Sequence, residues 1–277
     1  MVRSRAAPWR DLGKRALSAA ILIPVVLAAV WAGGAWFTLL VAVLGVAIAY
    51  EWTDIVHGHN ATQFAIHATA AIAGAVLPPE TGIATALIVL MALTGLATFL
   101  AALNRTLGLW AALGVAYAGL PAIALVTLRS DPSFGMKALF WLLAVVWASD
   151  SAAYFAGRLI GGPRLAPVIS PNKTWAGAIG AMVGAAIAGA AAAKLLVGAA
   201  LAPAFLGMAL SIVAQAGDLF KSALKRKYGL KDSGNLIPGH GGIIDRVDGA
   251  VAAALAAAIV GILRAGASGA GEGLLAW

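Results

Sequence analysis

The sequence predicts an all-α, polytopic integral membrane protein of about nine transmembrane helices. Three observations carry that expectation. Hydrophobic residues make up 62% of the chain and charged residues only 11%, where a soluble domain carries roughly 25% charged residues. Mean hydropathy is +0.93. The apolar residues fall in long Ala/Leu/Val/Ile-rich runs without the strict polar–apolar alternation of a barrel strand, so helices are the spanning form.

The runs can be taken in order. Arg3, Arg5, Arg10, Lys14 and Arg15 precede an apolar run over 16–31, a layout shared with the first two regions of a signal peptide. Because further runs follow directly, it is read as an uncleaved first span. The remaining spans are expected at 35–50, 64–77, 82–103, 107–128, 136–157, 174–196, 202–217 and 243–263. The seventh carries small residues at Gly177, Ala181, Gly184, Ala188 and Ala192, which suit close helix packing. With the amino terminus inside, fifteen of the nineteen Lys and Arg residues fall on the cytoplasmic side and four (Arg129, Lys137, Lys194 and Arg264) on the other. That agrees with the positive-inside rule, puts the carboxyl terminus outside, and suggests a multi-pass protein of the cell (inner) membrane.

Polarity divides the chain into residues 1–134, spans with short loops, and 135–277, a catalytic membrane region with cytoplasmic loops at 158–173 and 217–246. The spans before Gly135 suit either a lipid route or a homodimer surface. Cysteine is absent, which removes disulfides, thiolate nucleophiles and Cys-ligated metals. A net charge of +8 in so apolar a chain points to topology and anionic lipid or phosphate rather than to nucleic acid.

Asp150 lies within an apolar run, with Tyr154 and Arg158 at i+4 and i+8 on the same face. An ionisable residue at that depth is functional by default, the alternative being a structural Asp–Arg pair. Ser170, Lys173 and Thr174, just before the seventh span, offer a hydroxyl, an ammonium and a helix N-terminus to a phosphate; a plain helix start with a snorkelling lysine is the competing reading.

The densest segment is GDLFKSALKRKYGLKDSGNLIPGHGGIIDRVDG, residues 217–249. Asp218 ends a span, Lys221 and Lys225 follow at i+3 and i+7, and Ser222 and Arg226 at i+4 and i+8. A glycine-rich loop with Lys231, Asp232, His240, Gly241 and Gly242 leads to Asp245, Arg246 and Asp248 at the head of the last span. Converging carboxylates among many cations suit nucleotidyl transfer. Mg²⁺ needs only one or two protein carboxylates, cations offset charge on the reacting phosphates, and glycine admits close backbone approach. Taken singly, the basic run could face anionic lipid and His240 could be a solvated loop residue. A secondary transporter with coupling-ion sites at Asp150 and Asp218 is the rival of another class, but transporters usually show polar broken helices in both halves. The His57 and His59 pair has no third ligand near it in sequence.

Residues 222–248, SALKRKYGLKDSGNLIPGHGGIIDRVD, resemble the signature of the phosphatidate cytidylyltransferases, the CDP-diacylglycerol synthases, at Ser222, Lys225, Arg226, Lys231, Asp232, Gly234, Pro238, His240, Gly241, Gly242, Asp245, Arg246 and Asp248. The strings DSAAYFAGR, SPNKTW and GDL are similar to further motifs of that family. The resemblance implies CTP plus phosphatidic acid giving CDP-diacylglycerol and pyrophosphate, with Mg²⁺ and room for a second cation, at the cytoplasmic face. It further implies Asp218 and Asp245 as metal ligands with Asp248 as helper, and Lys225, Arg226, Lys231 and Arg246 on phosphates. Lys221 and Ala176 stand where relatives commonly carry acidic or polar residues, and neither receives a catalytic role.

Overall fold

The computed structural model describes residues 8–277 except 231, 235 and 237–240, with side chains from Ser18 onward. The chain is a multi-pass all-α membrane protein, and its eight helices from α2 to α9 are each long and apolar enough to cross a bilayer. They are α2 (Gly34–His57), α3 (Ala61–Thr81), α4 (Ile83–Leu103), α5 (Gly108–Ser130), α6 (Gly135–Leu159), α7 (Trp175–Val197), α8 (Leu201–Lys227) and α9 (Ile244–Ala265). Before them comes α1 (Pro8–Ala32), whose apolar part is Ser18–Ala32, and after them a short α10 (Ala270–Leu275). The segment between α6 and α7, expected as a loop, contains an antiparallel pair, β1 (Arg164–Ala166) and β2 (Ser170–Thr174).

Local chemistry sets the helix ends. Asn60 accepts a hydrogen bond from the Gln63 amide at 3.0 Å and caps α3, and Thr174 does the same for α7 through the Gly177 amide at 3.1 Å. Only Gly33, at φ 64°, separates α1 from α2. There Arg129 donates to the Val30 carbonyl (2.7 Å) and the Trp31 carbonyl (3.2 Å), a cation on the negative end of α1. A Cβ at Gly33 would lie 2.5 Å from the Arg129 guanidinium carbon, the movable end of a side chain, so it is the positive φ that calls for glycine here. At the same end Asp131 accepts from the Ser133 and Phe134 amides, closing the turn that leads into α6, and takes the Glu272 amide, tying α10 back.

Packing forms two groups of helices around α5. In one, α2, α3 and α4 surround α5; in the other, α6, α7, α8 and α9 follow in order, and α5 touches both α6 and α9. The small-residue pattern of α7 serves two neighbours. A Cβ at Gly177 would sit 3.0 Å from the Ala153 carbonyl and one at Gly184 3.1 Å from the Ala148 carbonyl, so that stripe meets α6. The buried stripe Ala181, Ala185, Gly189 and Ala193 turns inward, where Ala185 lies against Gly207 of α8 and Trp141 donates to the Gly189 carbonyl at 2.8 Å. Close backbone contact replaces the hydrophobic drive that lipid cannot supply.

Helix α2 runs to His57, past the expected end at residue 50, and α8 runs to Lys227, ten residues past the expected end at 217. Both extensions bring charged residues into the site. The buried stripe of α8 passes through Pro203, Gly207, Leu210, Ser211 and Ala214 to Lys221 and Leu224, so a lysine lies on a face whose other buried residues are uncharged.

Candidate functional site

Four helices and the β-hairpin enclose a cavity of about 760 Å³. Its walls include Asp150, Tyr154 and Arg158 from α6, Lys173 and Thr174 from the hairpin, and Gln215, Asp218 and Lys221 from α8. Asp245, Arg246 and Asp248 of α9 complete it. The predicted remote pieces therefore meet the predicted main segment in one place.

Its centre is Lys221, only 6% exposed. The Nζ ammonium lies 3.1 Å from Asp218 Oδ1 and 3.4 Å from Asp245 Oδ1, and forms a short ion pair with Asp248. Each of the three carboxylates has a second tether. Asp218 pairs with Lys173 of β2. Asp245 Oδ1 accepts from Lys225 at 2.6 Å, and its Oδ2 accepts from the Ser233 amide at 2.9 Å. Asp248 Oδ1 accepts from the Gly249 amide at 2.8 Å. Helix spacing explains the convergence. Lys221 and Lys225 are one turn apart on α8, Asp245 and Asp248 about one turn apart on α9, and the helices approach so closely that a Cβ on Gly217 would sit 3.0 Å from the Asp248 carbonyl.

The other predicted residues divide. Asp150 faces the cavity with no ion pair among the described residues, and Arg158 donates to the Tyr154 hydroxyl at 2.9 Å rather than to Asp150, so the structural Asp–Arg pair is absent there. The hydroxyl of Thr174 is engaged in capping α7 while the residue lines the cavity. Arg226 is exposed and bonds the Ile169 carbonyl at 3.4 Å, anchoring the hairpin instead of reaching the carboxylates. Ser170 sits at the start of β2, Ser222 is not among the residues that line the cavity and Asp232 is exposed. Gly241 takes φ 83° and Gly242 is buried. Lys231, Pro238 and His240 lie outside the described residues.

Two contributors escaped the sequence reading. Lys221, left without a role, holds the centre. Glu51, which the reading put beyond the end of the second span, is buried on α2, and its carboxylate accepts from the Ile243 amide (2.7 Å), the Ile244 amide (2.9 Å) and the Ser233 hydroxyl (3.1 Å). The signal was an acidic residue beside an apolar run, YEWTD, of the kind that counted in favour of Asp150. Glu51 also overturns the reading that polarity is confined to one half of the chain. Beside it Trp52, Tyr117 and Phe220 form an aromatic wall, with Trp52 and Tyr117 stacked at 5.1 Å and Trp52 and Phe220 at 6.4 Å. The Tyr117 hydroxyl is buried with no hydrogen-bond partner among the described residues.

Among the described residues no three His, Cys, Asp or Glu side chains form a ready metal cage. The donor chemistry nevertheless suits a hard divalent cation: oxygens of Asp218, Asp245 and Asp248 all lie about one ammonium, and Mg²⁺ takes one or two carboxylates and completes its shell with water and substrate phosphate. Lys173, Lys221 and Lys225 balance the three aspartates, so an incoming cation has to displace or share with an ammonium already in place.

A family model described as the cytidylyltransferase family matches residues 13–263. The chain is 42% identical over 247 residues to the phosphatidate cytidylyltransferase of Brucella suis biovar 1 (strain 1330), covering 88% of this chain and 91% of that one. It is 40% identical over 139 residues to the phosphatidate cytidylyltransferase of Bacillus subtilis (strain 168), about half of each chain. With the protein of that name from Helicobacter pylori (strain ATCC 700392 / 26695) the identity is 43% over 141 residues, again about half of each.

Proposed function

The chain belongs to the cytidylyltransferase family, and from that membership we propose that it joins CTP to phosphatidic acid, giving CDP-diacylglycerol and pyrophosphate, with Mg²⁺, at the cytoplasmic face of the inner membrane. The observation that carries the reading is the set of three aspartates gathered about Lys221 beside a cavity walled by α6 to α9 and the hairpin.

An oxygen of the phosphatidate monoester attacks the α-phosphorus of CTP, a new P–O–P linkage forms, and the bond from the α-phosphorus to the bridging oxygen breaks to release pyrophosphate. The nucleophile is already an anion, so the protein's task is to position it and to offset charge. Asp218 and Asp245 would hold the cation, with Asp248 beside them. When bound, Mg²⁺ would supply a Lewis acid that offsets charge on the reacting phosphates. Lys173, Lys221 and Lys225 are close enough to exchange an aspartate partner for a phosphate oxygen, and Arg246 lines the same cavity. Tyr154 of the cavity wall is 58% exposed and its neighbour Phe155 61% exposed, so α6 presents apolar surface next to the site. That surface suits a lipid whose acyl chains remain in the inner leaflet while its headgroup enters the cavity.

Purified protein with Mg²⁺, labelled CTP and phosphatidic acid is expected to form CDP-diacylglycerol. No product, with an active membrane extract as control, overturns the proposal. Replacing CTP by ATP, or phosphatidic acid by a polyprenyl phosphate, tests the substrate. Asp245→Asn should abolish turnover in a protein that still folds, because an amide oxygen is no anionic ligand; retained turnover removes Asp245 from the site.

A further inference from the structure

Glu51 is 1% exposed in a membrane-spanning helix, and no lysine or arginine pairs with it among the described residues. A lone buried carboxylate is costly unless donors surround it. Its donors all come from the glycine-rich segment nearly two hundred residues away: Oε1 takes the Ile243 amide, and Oε2 takes the Ile244 amide and the Ser233 hydroxyl. The two amides open α9, where the positive end of the helix favours an anion.

Two glycines close the seat. A Cβ at Gly234 would lie 2.8 Å from Glu51 Oε1, and one at Gly242 2.6 Å from Oε2. Their missing side chains make room for the protein's own carboxylate rather than for a substrate phosphate.

The consequence reaches Asp245. It follows Ile244 directly, so the amide bonds to Glu51 set where α9 begins and where Asp245 points. Ser233 adds a second link. Its amide donates to Asp245 Oδ2 at 2.9 Å, and its hydroxyl oxygen lies 2.9 Å from Asp245 Oδ2 and 3.1 Å from Glu51 Oε2, so its one proton can go to either carboxylate.

We infer that Glu51 is a positioning residue for the metal site, by which the first half of the chain fixes the orientation of Asp245 through the Ile243 and Ile244 amides and Ser233. The inference rests on the reading of Asp245 as a metal ligand. Residues that orient metal ligands in this way change metal affinity by about 10- to 100-fold when replaced.

The test is Mn²⁺ binding to the full-length protein in detergent, without substrate, from the electron paramagnetic resonance signal of free Mn²⁺. Glu51→Gln puts an NH₂ against backbone donors and is expected to raise the Mn²⁺ dissociation constant about ten-fold. The Mg²⁺ concentration for half-maximal turnover should rise in parallel, with a smaller loss of turnover at saturating Mg²⁺. A purely structural role would lower the folded fraction and leave the affinity of the folded molecules unchanged. Ser233→Ala, which keeps the Ile243 and Ile244 bonds, should raise the constant several-fold, and the double variant should fall short of the product of the single effects. Should Glu51→Gln fail to fold, Ser233→Ala decides on the same terms. Wild-type affinity in Glu51→Gln or, failing that, in Ser233→Ala, while Asp245→Asn loses Mn²⁺, overturns the inference alone. Wild-type affinity in Asp245→Asn overturns the metal reading and the inference with it.

Discussion

Replacing Lys221 by Met asks whether the site is organised around an internal cation. Lys221 is 6% exposed and meets Asp218, Asp245 and Asp248. After the change Asp218 keeps Lys173, and Asp245 keeps Lys225 and Ser233. Asp248 loses its ion pair and keeps the Gly249 amide and a hydrogen-bonding contact with the Asp218 carboxyl. Removing one partner of a buried ion pair costs about 3 to 5 kcal/mol. Methionine refills much of the volume, which places the loss near the lower end, about 3 kcal/mol. On the scale of chains this long, that lowers the midpoint of thermal unfolding by about 6 to 12 °C.

The measurement is a thermal-shift curve of purified protein in detergent, with EDTA or with Mg²⁺. In EDTA the variant should melt below wild type. Mg²⁺ at 100 times its dissociation constant adds about 2.7 kcal/mol, so most of the difference should be recovered once the cation takes the place left among the three carboxylates. Wild type should gain less at the same concentration, because its ammonium competes. Equal melting in EDTA, or equal stabilisation of both proteins by Mg²⁺, would refute the account.

Three further outcomes are expected. EDTA should abolish turnover, with Mg²⁺ restoring it and the larger Ca²⁺ failing to, as radiolabelled product will record. Thr174→Ala removes the cap of α7 and should cost about 1 kcal/mol, seen as a lower melting temperature. Gly180→Val introduces a Cβ 3.2 Å from the Ala152 carbonyl and closer still to Ala156, so α6 and α7 must part; a loss of about 1 to 3 kcal/mol and reduced turnover should follow.

Composition was enough to reveal a helical membrane protein, because an 11% charged chain has few other ways to fold. The site was legible where its chemistry is written locally: Asp218 falls at the end of an apolar run, Asp245 and Asp248 are about one turn apart, and the hairpin's Lys173 precedes a helix start. It was illegible where it depends on tertiary approach. Glu51 is joined to Ile243 by a contact across 192 residues. Nothing in YEWTD announces that partner. Gly242, one of the two glycines against Glu51, was read as room for phosphate, since spacing shows that a side chain is missing and not what fills the gap. Arg226 shows the same limit. One residue from Lys225, it turns to the hairpin because a helix sends neighbouring residues about 100° apart.

The lysines that tether these aspartates also bear on how the chain is made. Inserted alone, each charged residue of α8 and α9 at depth would cost about 3 kcal/mol. Their pairs, Lys221 with Asp248 and Lys225 with Asp245, cross between two helices that are adjacent in the chain. Synthesis runs in a favourable order: Lys173 emerges before Asp218, and Lys221 and Lys225 before Asp245 and Asp248. Each late aspartate of α9 thus meets a cation already placed. Delivering α8 and α9 to the bilayer as one unit keeps the exposed charge small throughout, so a separation of the two during biogenesis should leave the nascent protein open to quality-control proteolysis.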